Sequence, residues 1–367
     1  MNITGNRRLR LFSILIGIAL PLAAQQPRLS NARADTRSAA SGLEQAFKTL
    51  VGAQSNAAWI GYAVRAVAGD HQMCCYSSFE DGAGNRCCRG CALESRALEG
   101  RGSTPAQIQS VSLEAPGYIF VLYRIEQRQV DRIRNFSAEC ELDGGGLTVY
   151  WLTDVRPAES IALLSLFALQ SDQDRREEHR RSEPAIAAIA MHADAAADQA
   201  LEKFVAADQP QSLRERTVFW LGSARGRHGY EVLRRLVTQD PSERVREKAI
   251  FGLSVSREPD AAPAMISVAK NDSSARVRGQ ALFWLSQKAG RKEAAAITEA
   301  VENDPDTDVK KKAVFALSQL PRDEGVPLLI QVARTNSNPA VRKQAIFWLG
   351  QSQDSRALQF FEEVLLR

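Results

Sequence analysis

Five of the chain's six cysteines fall within eighteen residues, at Cys74, Cys75, Cys87, Cys88 and Cys91, and the sixth is Cys140. Thiols crowded in this way have four ordinary uses. Haem attachment needs C-x-x-C-H, and the pair Cys88-Arg-Gly-Cys91 is followed by Ala92. A dithiol redox centre sits at the start of a helix. This pair lies in a glycine- and arginine-rich loop within β-forming sequence, although Arg86 and Arg89 would lower a thiol pKa there. Zinc needs about four thiolates, but adjacent Cys-Cys pairs lack the spacing that turns two sulfurs onto one ion. Disulfides fit best. The number is even, all six cysteines lie in the first part of the chain, and Cys74 and Cys75 are expected to reach Cys87, Cys88, Cys91 or Cys140. Closing a loop of about 12–15 residues contributes roughly 3 kcal/mol in the chain-entropy picture. Which of the many pairings forms stays open. His71 reads as surface rather than as an extra ligand. Glu141 and Asp143, beside Gly144–Gly146, supply two carboxylates where calcium wants about six oxygens, so they read as a turn. No metal and no cofactor is expected.

The compartment bears on the cysteines. Arg7, Arg8 and Arg10 precede an uncharged apolar run from Leu11 to Leu20, followed by Pro21 and small residues. This is the pattern of a secretory signal over residues 1–34, with cleavage expected after Ala24 or Ala34. No later stretch reaches the ~18 apolar residues of a membrane span. An exported protein, periplasmic or extracellular, keeps its disulfides. The chain's 367 residues are 44% apolar and 25% charged, and the formal net charge is +4. That charge is too small to argue for nucleic acid.

Residues 36–155 read as a Cys-rich α+β module. Leu43, Ala46, Phe47 and Leu50 form one face of a short helix. Strands are predicted over 57–64, 117–125, 129–136 and 147–152, giving a small antiparallel sheet of about four strands. Residues 156–180 read as an apolar capping helix, beginning at Pro157, and a charged linker.

Residues 181–367 repeat with a period of 32. Val245–Leu253, Val277–Leu285, Val309–Leu317 and Val341–Leu349 align without gaps, as does Leu213–Leu221 one period upstream, and Ala185–Ile189 is a weaker match before it. Six two-helix units follow, the sixth cut short. A fixed period in this range marks a solenoid, whose units bury their stripes only by stacking. Asp208, Asp240, Asp272, Asp304 and Asn336 recur before each first helix and are expected to cap it. Arg214, Arg246, Arg278, Lys310 and Arg342 form a second ladder, able to reach the acid of a neighbouring unit. Both ladders read as structural. Phe219-Trp220, Phe283-Trp284 and Phe347-Trp348 alternate with Phe251-Gly252 and Phe315-Ala316. The Phe phase reads as core and the Trp phase as packing between first helices. Trp220, Trp284 and Trp348 become partner-binding candidates if exposed.

The pattern Asp-Pro…Val-Arg-x-x-Ala-x-x-x-Leu resembles the short HEAT-like repeats of the phycobilisome-lyase type. The whole chain is similar to exported bacterial proteins that carry a Cys-rich module before such repeats. The resemblance implies an α+β two-domain fold, a disulfide-bearing antiparallel β module followed by an all-α HEAT-like solenoid. It also implies protein binding, on a concave face expected to be made by the second helices. Two enzyme branches share the repeat, the bilin lyases and deoxyhypusine hydroxylase, whose iron is held by His-Glu dipeptides. None of His71, His179, His192 and His228 is followed by Glu. No catalytic residues are assigned, and a non-enzymatic, monomeric scaffold with a protein partner is expected. A thiol redox or metal-binding accessory acting through Cys88 and Cys91 is the alternative, and a lyase-like enzyme the next. Nucleic acid is not expected as a partner.

Overall fold

The computed structural model describes residues 26–68, 91–94, 117–138, 141–170, 178–288 and 291–366. The signal segment up to residue 25 and Cys74, Cys75, Cys87, Cys88 and Cys140 lie outside these, and only the backbone of Cys91 is described.

Two central strands carry the first half. β3 (Ala58–Arg65) and β5 (Tyr118–Glu126) are rich in β-branched and aromatic residues and are buried along nearly their whole length. They pair antiparallel, and β5 continues through a hairpin into β6 (Gln129–Ser137). The hairpin loop is Gln127-Arg128, both at positive φ (51° and 61°), as a tight two-residue turn that follows the strand twist requires. On the other side the sheet departs from the antiparallel expectation. β8 (Thr148–Thr153) runs parallel to β3, and β2 (Arg33–Ser38) runs parallel to β8, giving the order β2-β8-β3-β5-β6. The fifth strand, Arg-Ala-Asp-Thr-Arg-Ser, has no apolar alternation because it is an exposed edge held by backbone hydrogen bonds. Three two-residue strands, β1 (Leu29–Ser30), β7 (Leu142–Asp143) and β4 (Cys91–Ala92), make a small parallel sheet beside it.

The main sheet buries both faces. Trp59, Phe120, Leu122, Phe136, Val149 and Trp151 form a cluster on one side with Leu93 and Leu142. The other side belongs to a core continuous with the helices. α1 (Leu43–Ala53) and α2 (Pro157–Ala168) lie there, and α2 packs on the first repeat unit. A π-turn, Glu178–Ser182, leads into the array.

Six helix pairs follow: α3 (Glu183–Met191) with α4 (Ala196–Phe204), α5 (Gln211–Ala224) with α6 (Gly226–Gln239), α7 (Glu243–Val255) with α8 (Ala261–Asn271), α9 (Ala275–Gln287) with α10 (Arg291–Asn303), α11 (Thr307–Ser318) with α12 (Arg322–Thr335), and α13 (Pro339–Gln351) with α14 (Ser355–Leu365). The sixth unit, expected to be cut short, has both helices. Val245, Ala249, Ile250 and Leu253 are fully buried, as the stripe predicts, because helices of adjacent units cover them. Burying one such Leu or Ile contributes roughly 1.5–3 kcal/mol.

First helices of adjacent units lie side by side in close contact, whereas second helices meet their counterparts mainly through long side chains such as Lys270–Glu299 and Arg235–Glu202. The closest approach is between α5 and α7, where a Cβ on Gly222 would stand 2.0 Å from the Gly252 carbonyl oxygen. Gly222→Ala must push these helices apart and is expected to cost about 1–3 kcal/mol in denaturant unfolding. Gly350→Ala, on an exposed helical position with nothing within 4 Å of the new methyl, is expected to be neutral or stabilising by up to about 1 kcal/mol.

Candidate protein-interaction face of the repeat array

In a curved stack the more closely spaced row lies on the shorter arc. The first helices α5, α7, α9, α11 and α13 are therefore the inner row. This reverses the expectation that second helices line the concave side. The period shows that two helices alternate, but only their spacing shows which row is compressed.

The inner row carries a continuous run of rings. Phe219 stacks on Phe251 at 5.7 Å, and Phe251 meets Trp284 at 4.8 Å. Phe283 stacks on Phe315 at 6.1 Å, and Phe315 meets Trp348 at 5.0 Å. Within a helix, Phe283 and Trp284, and Phe347 and Trp348, touch edge to face at 5.0 Å. The Trp phase packs between first helices as expected, whereas the Phe phase is not the core that the pattern suggested. Trp220 is buried, and Trp284 and Trp348 are half-buried wedges between neighbouring first helices. Phe219, Phe251, Phe283 and Phe315 are half-buried on the inner surface, and Phe347 is 52% exposed. Each Trp points sideways along the stack, one residue (about 100°) from a Phe that points inward. Where the next unit offers Gly252 or Ala316 instead of Trp, the helices close up and the Phe rings stack. Where it offers Trp284 or Trp348, the indole fills the wider junction. The indole N–H groups of Trp284 and Trp348 are buried without a partner. Trp348 also lines an open depression of about 230 Å³ with Gln319, Arg322, Leu329 and Ser352.

Both polar ladders hold the row in place. Arg246 donates to both carboxylate oxygens of Asp272 (2.9 and 3.2 Å) and to the Asp240 carbonyl (2.9 Å). Arg278 does the same with Asp304 (2.7 and 3.0 Å) and the Asp272 carbonyl (2.9 Å). Arg214 bonds Asp240. Arg246 and Arg278 thus each tie the loop before the helix to the loop after the unit. The acids do not cap first helices directly. Asp240, Asp272, Asp304 and Asn336 each accept from the backbone N–H two residues on, at 2.8–3.0 Å. The N-cap position itself falls to Ser242, Ser274, Asp306 and Asn338. The pattern ends unevenly. Lys310 donates to the Glu302 carbonyl instead, Arg342 reaches the Asn336 carbonyl, and Asp208 is exposed.

One buried constellation has no sequence signature. Tyr123 Oη lies 2.8 Å from Tyr62 Oη, which is 2.9 Å from Ser160 Oγ. Ser160 Oγ in turn is 2.9 Å from His192 Nε2, and His192 Nδ1 is 2.6 Å from the Ala188 carbonyl oxygen. That carbonyl can only accept, so Nδ1 carries the proton and Nε2 accepts from Ser160. The relay then runs Tyr123 to Tyr62 to Ser160 to His192 to Ala188 with every group satisfied. Ser160 and His192 are both fully buried, so the pair joins sheet, α2 and first unit rather than meeting a substrate. Burial holds His192 down at about 4 and pushes Tyr62 up to about 12. Asp143 accepts from Asn31 and from the Gly145 N–H, as a turn residue does. Among the described residues no three His, Cys, Asp or Glu side chains converge as for a metal.

Residues 198–286 and 294–367 match the family of HEAT repeats. The second half of this chain is a HEAT-repeat array. Similar solved structures include human deoxyhypusine hydroxylase with glycerol, at 15% identity over 56% of this chain and 90% of that one, with a TM-score of 0.26. The CpcE–CpcF complex of phycocyanin lyase from Nostoc sp. PCC7120 matches at 20% over 56% and 80%, TM-score 0.31. Kap95p in its complex with RanGDP matches at 17% over 57% of this chain and 32% of that one, TM-score 0.37. No curated protein matches this chain in sequence.

Arg278→Ala leaves Asp304 buried without its partner. It is expected to lower stability by about 3–5 kcal/mol, measured by thermal or urea unfolding. His192 gives a pH signature. The native state keeps it neutral down to about 4, while the unfolded chain takes up the proton near 6.5. Its contribution is therefore whole above 6.5 and is lost as pH falls from 6.5 towards 4, by about 3 kcal/mol in all. Urea midpoints of wild type should fall across that window more steeply than those of His192→Gln.

Proposed function

We propose that this protein is a non-enzymatic scaffold of the cell envelope that binds a protein partner on the inner face of its HEAT array. The observation that carries the reading is the uninterrupted row of half-buried and exposed rings on the inner helices. Apolar surface of this kind, rimmed by charge, is what partner-binding faces present. The one Ser–His pair among the described residues is closed to solvent, which favours binding over catalysis.

Export and disulfides belong to the same reading. The basic and apolar start of the chain supports a signal, and β2 bears on where it ends. Cleavage after Ala34 would remove the first two of the six residues that β2 pairs with β8, whereas cleavage after Ala24 leaves the strand whole. The six cysteines then serve as staples for the module in an oxidising compartment.

The test is site-specific photo-crosslinking in the cells that make the protein, with the reactive group at Phe347 on the inner face or at Arg235 on the outer one. A discrete adduct in the envelope fraction is expected at Phe347, on a mature chain beginning at Gln25. No specific adduct at either site overturns the scaffold reading.

A further inference from the structure

We infer that the inner face of the HEAT array holds an extended acidic protein segment with apolar side chains at alternate positions. This rests on the scaffold reading and names the partner's chemistry. Three acids share the face with the rings, and each has a basic neighbour. Glu215 faces Arg244 at 3.9 Å, Glu247 pairs with Arg276, and Asp308 pairs with Lys311 at 3.1 Å. Lys248, Lys312 and Lys343 stand on the same face, exposed, and make no salt bridge among the described residues, although Lys312 is close enough to help hold the Asp306 carboxyl below its ordinary range. They lie one helical turn before Phe251, Phe315 and Phe347. What the internal pairs leave over is positive charge beside aromatic rings.

One lysine is positioned by its neighbour. Residue 279 is Gly where the equivalent positions in the other units are Glu215, Glu247, Lys311 and Lys343. A Cβ there would come within 2.4 Å of Lys312 Cδ. The Lys312 stem therefore lies across α9, in the space that the missing side chain leaves.

The ring spacing suits an extended chain. On the inner surface Phe219 and Phe251 are 5.7 Å apart and Phe283 and Phe315 6.1 Å, near the ~7 Å between same-side residues of a strand, so alternate apolar side chains can rest on the two rings of each pair. The intervening acids then face the lysines. Single-stranded nucleic acid also uses rings and cations. Here Phe219 and Phe251, and Phe283 and Phe315, are already stacked face to face, only three lysines without a salt bridge span four units, and carboxylates share the surface.

The test is titration of the full purified chain, read by tryptophan fluorescence and calorimetry. The probes are a peptide alternating Glu with Leu, the same peptide with Lys for Glu, the same with Ser for Leu, and oligo-dT. The Glu/Leu peptide is expected to bind at least tenfold tighter than the other three and to weaken with salt. Lys248→Glu and Lys343→Glu alter exposed side chains, and Lys312→Glu also shortens a stem packed over Gly279, so the titration of Lys248→Glu/Lys312→Glu/Lys343→Glu is run below its own unfolding transition, and the Lys248→Glu/Lys343→Glu double variant, whose unfolding should be unchanged, is titrated beside it. Their affinity for the Glu/Leu peptide should fall, at least tenfold in the triple variant, and shift toward the Lys/Leu peptide, and Phe347→Ser should weaken binding severalfold. Equal binding of the Glu and Lys peptides, an undiminished triple variant, or tighter binding of oligo-dT overturns the proposal. An envelope adduct formed at Arg235 and not at Phe347 overturns it too, while leaving the scaffold reading intact.

Discussion

A pair of short helices cannot bury its own apolar stripe, and the second half of this protein follows from that constraint. Val277, Leu282 and Leu285 are fully buried only because units three and five flank unit four. Stability is therefore shared between neighbours. The Arg–Asp rungs work differently. Desolvating Arg278 and Asp304 costs several kcal/mol, which the pair's mutual attraction only partly offsets. The bidentate contact, the preceding loop's carbonyl and the turn N–H on the acid recover the rest. The net gain is small, but the geometry admits one spacing between loops. The rungs fix register, and the apolar contacts supply the attraction.

Register alone would allow any distance between first helices. The alternation of Trp with Gly or Ala sets that distance, because close packing leaves no other way to fill the junctions. Gly222 against Gly252 draws two helices together, and Trp284 and Trp348 hold others apart. Even at the junctions that a Trp holds open, first helices stay closer to one another than second helices do. The Phe side chains at the preceding position are then turned inward, where no element of their own unit covers them. The exposed ribbon is thus a geometric by-product of how the junctions are filled, and it costs the protein unburied apolar area that a partner could recover.

This distinction marks what the residue pattern does and does not carry. A period of 32 with a strict Val-Arg-x-x-Ala-x-x-x-Leu core identifies the helices, their stacking and the reach of Arg246 to Asp272, because all three depend on one-dimensional spacing. Phe251 and Trp284 are both aromatic residues near the end of a first helix. Which of them faces solvent depends on the angle between helices, and that is absent from the period. The edge strand Arg33–Ser38 is invisible for a related reason. It is held by backbone bonds to Thr148–Thr153, so its side chains carry no alternation, and its parallel pairing comes from a partner more than a hundred residues away. Ser160 and His192 are 32 residues apart only by coincidence of the fold. Nothing local announces that a helix and the end of the next one will bring them within 2.9 Å.

That relay bears on how the module and the array act together. Tyr62 and Tyr123 belong to the central strands, Ser160 to α2 and His192 to the end of α3, so one hydrogen-bond chain links four elements. Around it the Val67 N–H donates to the Met191 carbonyl (2.8 Å), the Ala193 N–H to the Arg65 carbonyl (2.9 Å), and Asn135 to the Pro184 carbonyl (2.8 Å). A joint this dense in buried polar contacts is specific rather than strong, since each bond contributes only about 1 kcal/mol net while an unmade one costs more. It leaves the sheet and the first unit one way to meet. The module therefore covers the first unit's end of the array without a swivel, and α2 takes the place that a preceding unit would occupy. With that end covered, the inner row from Phe219 onward is the long apolar surface that the described residues leave open, and its orientation is referred rigidly to the sheet.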